Sequence, residues 1–304
     1  MADLAVIILT YNEEKHITRA LESIRGIARE IFVIDSFSTD ATVDLSRAAG
    51  AVVLQNKFVN QAKQFQWGMD NAPITAAWVL RLDADEVIEP DLAARIAAEL
   101  PGLAPDITGV NLKRKHIFLE RWIRHGGRYP LVMLRLFRRG HARIEDRWMD
   151  EHIVVQSGRT VVFEGGFADH NLNDVAFLID KHNKYATREA IDVLNKRYGL
   201  FTREAGLSAG NSSGHSALKR LVKEKIYNRM PLWAGPLGYF LYRYTVQLGF
   251  LDGKPGLIYH VLQGFWYRFL VGVRVYELDE ALRPCPPEKR KALLTRLTGL
   301  TLGS

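Results

Sequence analysis

Cysteine is nearly absent. The 304 residues hold one, Cys285, which excludes an internal disulfide framework and suits a reducing compartment. Pro284, Pro286 and Pro287 flank it, so it reads as part of a rigid turn rather than as a nucleophile. Long hydrophobic runs are also missing. No apolar stretch reaches the roughly 18–20 residues that a spanning helix needs. The run from Leu4 to Leu9 has strand length and follows no basic segment, so neither a signal peptide nor a membrane span is expected. Glycine is missing where a dinucleotide site would require it. The turn after the first apolar run is Tyr11, Asn12, Glu13, Glu14, which argues against NAD or FAD. No phosphate-cradling lysine turn, repeat or low-complexity segment is present either. Acids are outnumbered: 41 Lys and Arg face 34 Asp and Glu, for a net charge of +7. Anionic partners follow, with nucleotide diphosphates, phospholipid headgroups and nucleic acid all candidates.

What is present has the rhythm of an α/β sheet. Ala5 to Leu9, Glu30 to Ile34, Ala51 to Leu54 and Trp78 to Leu82 are short β-branched or aromatic runs that read as buried parallel strands. Between them, Ile17, Leu21 and Ile24 mark one helix face, with Asn12 as its expected N-cap. A second helix is capped by Thr39 or Asp40 and closed by Gly50, and a third runs from about Asn60 to Asn71. This order predicts a doubly wound, mainly parallel sheet with helices on both faces. Further helices are expected over Pro90 to Leu100 and Asn173 to about Arg197. Strands are expected at Gly109 to Phe118 and Leu131 to Phe137. Val154 and Val155, with Thr160 to Phe163, read as a short antiparallel addition.

Ligands gather at the carboxyl ends of such strands, and here those ends are polar. The first ends in Thr10, Tyr11, Asn12 and Glu13, the second in Asp35, and the fourth in Asp83, Ala84 and Asp85. Two carboxylates at i and i+2 on near-extended backbone project to one side and suit Mg²⁺ or Mn²⁺, which adds water and substrate phosphate to its shell. Read without its neighbours, the same triplet also fits a solvated acidic turn before the helix at Pro90.

Together the text at 6–14 (VIILTYNEE), 33–42 (VIDSFSTDAT) and 78–86 (WVLRLDADE) resembles the inverting family 2 glycosyltransferases of GT-A fold. Residues 125–130 (HGGRYP), 135–137 (RLF) and 149–152 (MDEH) are similar to a bacterial envelope branch that includes lipopolysaccharide-core glucosyltransferases. The resemblance implies a GT-A nucleotide-sugar domain over residues 1–200. Its donor would be a nucleotide sugar, most often UDP-linked. Thr10, Tyr11, Glu13 and Asp35 would contact base and ribose, and Asp83 and Asp85 the metal, diphosphate and ribose. His170 would complete the shell of a Mg²⁺ or Mn²⁺ ion. A base for the acceptor hydroxyl is placed in the Asp150–Glu151 pair, with Glu151 favoured and Asp150 a competitor. Lys57 and Lys63 are candidate phosphate or base contacts, or a solvated helix face. Arg124, His125, Arg128 and Arg135 form a basic cluster suited to the donor pyrophosphate or to the phosphates of a lipid-linked acceptor.

Residues 201–304 are expected to form a C-terminal helical extension, entered through a Gly/Ser-rich linker at 206–216 and a basic helix start at Lys219, Arg220, Lys223 and Lys225. From Pro231 to Tyr276, aromatic and basic residues interleave. That pattern suits an interfacial hairpin on the inner face of the cell membrane, or the packed interface of a homodimer. The whole describes a cytoplasmic, peripheral hexosyltransferase acting on a lipid-linked, lipopolysaccharide or exopolysaccharide acceptor. One rival is a metal-dependent nucleotidyltransferase, which would release pyrophosphate. The other is a basic nucleic-acid scaffold, but the acidic strand ends repel a phosphate backbone, so nucleic acid is not an expected partner.

Overall fold

The computed structural model describes residues 2–145, 152–201, 231–300 and 302. The chain divides into two compact units, Met1–Leu172 and Asn173–Ser304. The boundary expected near residue 200 therefore lies one helix later than this division.

The first unit is built on a sheet in the order β3-β2-β1-β4-β8-β6-β11-β5, with β7 attached to β6. Its first four neighbours are parallel: β1 (Leu4–Thr10), β2 (Glu30–Asp35), β3 (Val52–Gln55) and β4 (Trp78–Asp83). Unbroken apolar runs form these strands because both faces are covered. On one face α1 (Ile17–Ile24) and α4 (Pro90–Glu99) bury Ile17, Leu21, Ile24, Leu92 and Ile96 against Val6, Ile8 and Leu80. On the other, α3 (Gln61–Asn71) buries Ala62 and Phe65 against Ile7, Ile34 and Val79. Gly68 brings α3 close to the sheet, since a Cβ there would lie 2.7 Å from Ile34 Cγ1. The second helix, α2 (Thr42–Ala48), completes the winding.

The remaining strands are β5 (Glu86–Ile88), β6 (Ile107–Phe118), β7 (Arg121–Trp122), β8 (Leu131–Arg138) and β11 (Arg159–His170). A separate ribbon pairs β9 (Ala142–Ile144) with β10 (Ile153–Val155). The expected short antiparallel addition at 160–163 is instead a 12-residue strand, β11, running parallel to β6 and antiparallel to β5. Gly165 (φ +133°) lies within a register shift against β6, between Phe163 and Phe167, which hides the strand's continuity in the sequence. Asn12 is not a helix cap: it takes φ +55°, and α1 starts at Ile17 with His16 before it.

In the second unit α5 (Val175–Tyr198) is capped by Asp174, which accepts from Phe177 N at 2.8 Å, and closes on left-handed Gly199. Then come α6 (Ala234–Leu241), α7 (Gly253–His260), α8 (Tyr267–Leu282) and α9 (Pro287–Thr298). α6 and α7 each continue into a π-helical stretch, Tyr242–Val246 and Val261–Trp266. Asp279 on α8 ties this unit together, accepting from Tyr198 Oη at 2.6 Å and pairing with Arg197 at 2.8 Å and Arg283 at 3.0 Å. No described helix is long and apolar enough to cross a membrane. The linker and basic helix start expected at 206–225 lie outside the described residues.

Candidate functional site

Register brings the polar strand ends together. Thr10 lies beside Asp35, and Leu9 beside Asp83. Thr10 Oγ1 donates to Asp35 Oδ1 at 3.0 Å. The Asp35 carboxylate also accepts from Ser38 N (2.9 Å), Ser38 Oγ (2.5 Å) and Gln55 Nε2 (3.1 Å). Fully buried, it is satisfied among the described residues by hydrogen bonds, which fix the ends of β1, β2 and β3 as one rigid lip. The loops above are stitched together too. Asn12 N donates to Ser38 Oγ, Thr39 N to Asn12 Oδ1 and Glu13 N to Thr42 Oγ1, at 2.7–2.8 Å. This stitching accounts for the left-handed backbone of Asn12 and of Phe37 (φ +62°). It leaves two aromatic rings open to solvent, Tyr11 at 60% and Phe37 at 54% exposure.

The two aspartates after β4 have different surroundings. Asp83 Oδ2 accepts from Arg135 Nη2 at 3.0 Å, and its other oxygen lies 3.5 Å from Arg81 Nε. Arg135 in turn reaches Glu86 Oε1 at 2.6 Å, Arg114 lies 3.5 Å from the same oxygen, and Glu86 Oε2 accepts from Asp83 N at 2.9 Å. Burial pushes Asp83 upward, but Arg135 and Arg81 override it and hold the carboxyl well below the usual range. For Glu86 burial prevails: opposed by Arg135 and Arg114 and reinforced by Asp83, it drives the carboxyl up to about 7. Burial also works against the Arg135 charge, yet Glu86 and Asp83 more than offset it and raise that group.

A raised acid costs stability once ionised. Glu86 favours the folded state fully below its unfolded value of about 4.5, and that contribution is lost as pH climbs through about 7. Glu86→Gln, which keeps the uncharged shape, is therefore expected to gain on wild type by on the order of 3 kcal/mol between pH 4.5 and 8. Urea unfolding of both proteins across that range checks this, and a constant difference would refute it.

Asp85 sits in the turn between β4 and β5. Its Oδ2 accepts from Asn171 Nδ2 at 2.9 Å, and its carbonyl accepts from His170 N at 2.9 Å. Asp85 and His170 thus adjoin through their backbones. His170 is itself held by Arg19 of α1, whose Nη1 lies 2.9 Å from Nδ1 and whose Nη2 donates to the His170 carbonyl at 2.5 Å; Nε2 lies 3.0 Å from Glu120. Burial pulls Arg19 down against the raising influence of Glu120 and Asp85. Among the described residues no group of three His, Cys, Asp or Glu side chains is poised around one point. In donor chemistry, Asp85 with His170 beside it fits a hard divalent ion that draws its remaining ligands from diphosphate and water.

Other expected residues fall elsewhere. Glu13 faces His16, Oε2 to Nδ1 at 2.6 Å, and His16 Nε2 accepts from Leu172 N at 2.9 Å. Lys57 and Lys63 are exposed, and Lys63 N serves the Asn60 cap. Arg135 does not join an outward-facing basic cluster: it is buried on β8 against Asp83 and Glu86. Arg124 instead stacks on Trp122, 5.3 Å from the ring centroid, and Arg128 follows the left-handed Gly126–Gly127 turn. Asp150 and Glu151 lie outside the described residues. Ser38, Gln55, Arg81, Arg19, Glu120 and Asn171 were not singled out by sequence, because nothing local marks a residue whose partner is brought from a distant element.

Comparison with known proteins bears on the family. A 96-residue stretch is 33% identical to an uncharacterized glycosyltransferase of Rickettsia typhi, covering 32% of each chain. A 92-residue stretch is 32% identical to the SPbeta prophage-derived glycosyltransferase SunS of Bacillus subtilis, covering 30% of this chain and 22% of that one. The matched region thus spans about a third or less of these relatives' length. Among solved structures, a mannosyltransferase from Pyrobaculum calidifontis in complex with GDP-Man and Mn²⁺ is 14% identical with a TM-score of 0.48, over 90% of this chain and 87% of that one. Glucosyl-3-phosphoglycerate synthase from Mycobacterium tuberculosis, in complex with Mn²⁺ and UDP, is 21% identical with a TM-score of 0.32, over 37% and 44%. The sheet agrees with the GT-A architecture expected from the sequence. The model of glycosyl transferase family 2 matches residues 5–165, which carry the ends of β1, β2, β3 and β4, and the chain belongs to that family.

Proposed function

We propose that the chain transfers a hexose from a UDP-sugar, with inversion at the anomeric carbon, to a lipid-linked, lipopolysaccharide or exopolysaccharide acceptor. The observation carrying this reading is the meeting of three polar strand ends: the caged Thr10–Asp35 pair, the arginine-bound Asp83 and the turn residue Asp85. The rigid Asp35 lip and the exposed ring of Tyr11 suit a flat base and its ribose. Asp85 would hold the divalent ion, which when bound supplies Lewis-acid neutralisation of the departing diphosphate. Inversion needs one base opposite the leaving group. That role is proposed for Glu151 or Asp150: the carboxylate takes the acceptor hydroxyl's proton as its oxygen bonds to the anomeric carbon and the nucleotide diphosphate departs.

A membrane-borne acceptor is supported by the surface of the second unit. Trp233, Leu241, Tyr242, Val246, Phe250 and Leu251 are exposed there. The one carboxylate between residues 231 and 276, Asp252, is buried, so no acid on that tract opposes an anionic headgroup. We propose peripheral contact with the inner membrane face on this basis, a homodimer being the competing use of the same surface.

The test is nucleotide release from UDP-, GDP- and dTDP-sugars with Mn²⁺ or Mg²⁺. Release of UDP from one donor, dependent on metal, is expected. Pyrophosphate as product would mean nucleotidyl transfer, and no turnover or binding of any donor would overturn the reading. Flotation with anionic and neutral vesicles, beside a light-scattering mass, separates bilayer contact from a dimer.

A further inference from the structure

We propose that Arg19 is a positioning residue that competes with the divalent ion for His170, a role that rests on the metal-dependent reading above. A guanidinium only donates. Its Nη1, 2.9 Å from Nδ1, therefore requires that nitrogen to be the acceptor, so the neutral ring carries its proton on Nε2 and gives it to Glu120 at 3.0 Å. The second Arg19 bond, to the His170 carbonyl, and the His170 N bond to Asp85 O fix the backbone beside the ring. Two residues beyond His170, Leu172 N donates to Nε2 of His16, the residue just before α1. Arg19 and the residue preceding α1 thus hold the chain at His170 and just beyond β11, and set where His170 stands relative to Asp85.

This arrangement bears directly on metal ligation. A metal at Nε2 would need the proton moved to Nδ1, where it would face the Arg19 donors. A metal at Nδ1 would need Arg19 itself to leave. Either way Arg19 must give up the ring before His170 can become a ligand, and its charge beside Asp85 opposes an incoming cation as well. Glu120 stands ready to receive the displaced charge. It lies on the two-residue Leu119–Glu120 turn, where both residues hold positive φ (+47° and +57°), a conformation that non-glycine residues adopt only under constraint.

The experiment is Mn²⁺ binding in the presence of UDP, followed by electron paramagnetic resonance. It is paired with long-range ¹H–¹⁵N spectra of the histidine rings, with His170 assigned by its loss in His170→Gln. Arg19→Leu is expected to bind Mn²⁺ about tenfold more tightly than wild type, and Arg19→Lys, which keeps a donor and the charge, to stay near wild type. The ring should show the Nε2–H form in wild type and Arg19→Lys and a mixture of forms in Arg19→Leu. Unchanged or weaker Mn²⁺ binding by Arg19→Leu, or an unchanged ring form, overturns the proposal. Should wild type bind no Mn²⁺ at all, the metal-dependent reading and the competition fall together, while the ring spectra still decide whether Arg19 sets the tautomer.

Discussion

Asp85→Ala is expected to lower metal-dependent nucleotide release by roughly two to three orders of magnitude while leaving the protein folded. The two halves of that expectation have separate grounds. Lewis-acid stabilisation of a departing diphosphate supplies several kcal/mol, and losing the carboxylate proposed to hold the ion would forfeit most of it. The structural cost is small, because the Asp85 side chain's bond to Asn171 lies in a turn near the surface and not in the core. Asp83→Asn should behave differently. Asp83 is bound to Arg135 and Arg81, so its loss disturbs a buried charge network and shows in unfolding as well as in turnover. Steady-state release assays and thermal melts on both variants check the contrast. Full activity of Asp85→Ala at saturating Mn²⁺ would remove Asp85 from the site.

That contrast marks the limit of what the sequence could convey. β1, β2 and β4 were legible because each is an unbroken apolar run flanked by turn residues, and their order alone puts Thr10, Asp35 and Asp83 on one edge. The identical letters Asp83 and Asp85 hid two environments. The difference is made by Arg135, 52 residues away on β8, and by Asn171, 86 residues away beyond β11. Asn12 misled for a similar reason. Its side chain suits a helix cap, but the β2 loop offers Thr39 N and Ser38 Oγ, and that long-range pairing outcompetes the local cap. β11 was underestimated because its apolar run breaks at Glu164, Gly165 and Gly166; a Cβ at Gly165 would meet the Leu92 backbone of α4 at 2.9 Å. Arg19 carried no signal at all, since an arginine on the third position of a helix is ordinary until His170 is brought beside it.

Arg135→Met is expected to be the most damaging single substitution in the site, costing about 3–5 kcal/mol of stability. Arg135 is 4% exposed and bonds two carboxylates at once, Asp83 at 3.0 Å and Glu86 at 2.6 Å, while its guanidinium lies 5.6 Å from the Phe167 ring centroid. Removing it leaves those acids facing each other, with, among the described residues, the more distant Arg81 and Arg114, each at 3.5 Å, to neutralise them. The penalty comes mainly from stranded charge and not from the pair's own worth, which gives it a recognisable signature. Adding Glu86→Leu to Arg135→Met should recover part of the loss, so the two substitutions are non-additive. Acidification should also recover it: without Arg135, Glu86 takes up a proton still more readily in the folded state, and the variant's deficit shrinks as pH falls from 8 towards 5. Urea denaturation of the single and double variants at both pH values measures each effect. A deficit independent of pH and of Glu86 would mean that Arg135 serves by packing alone, and the charge network beneath Asp83 would then have no part in holding the site.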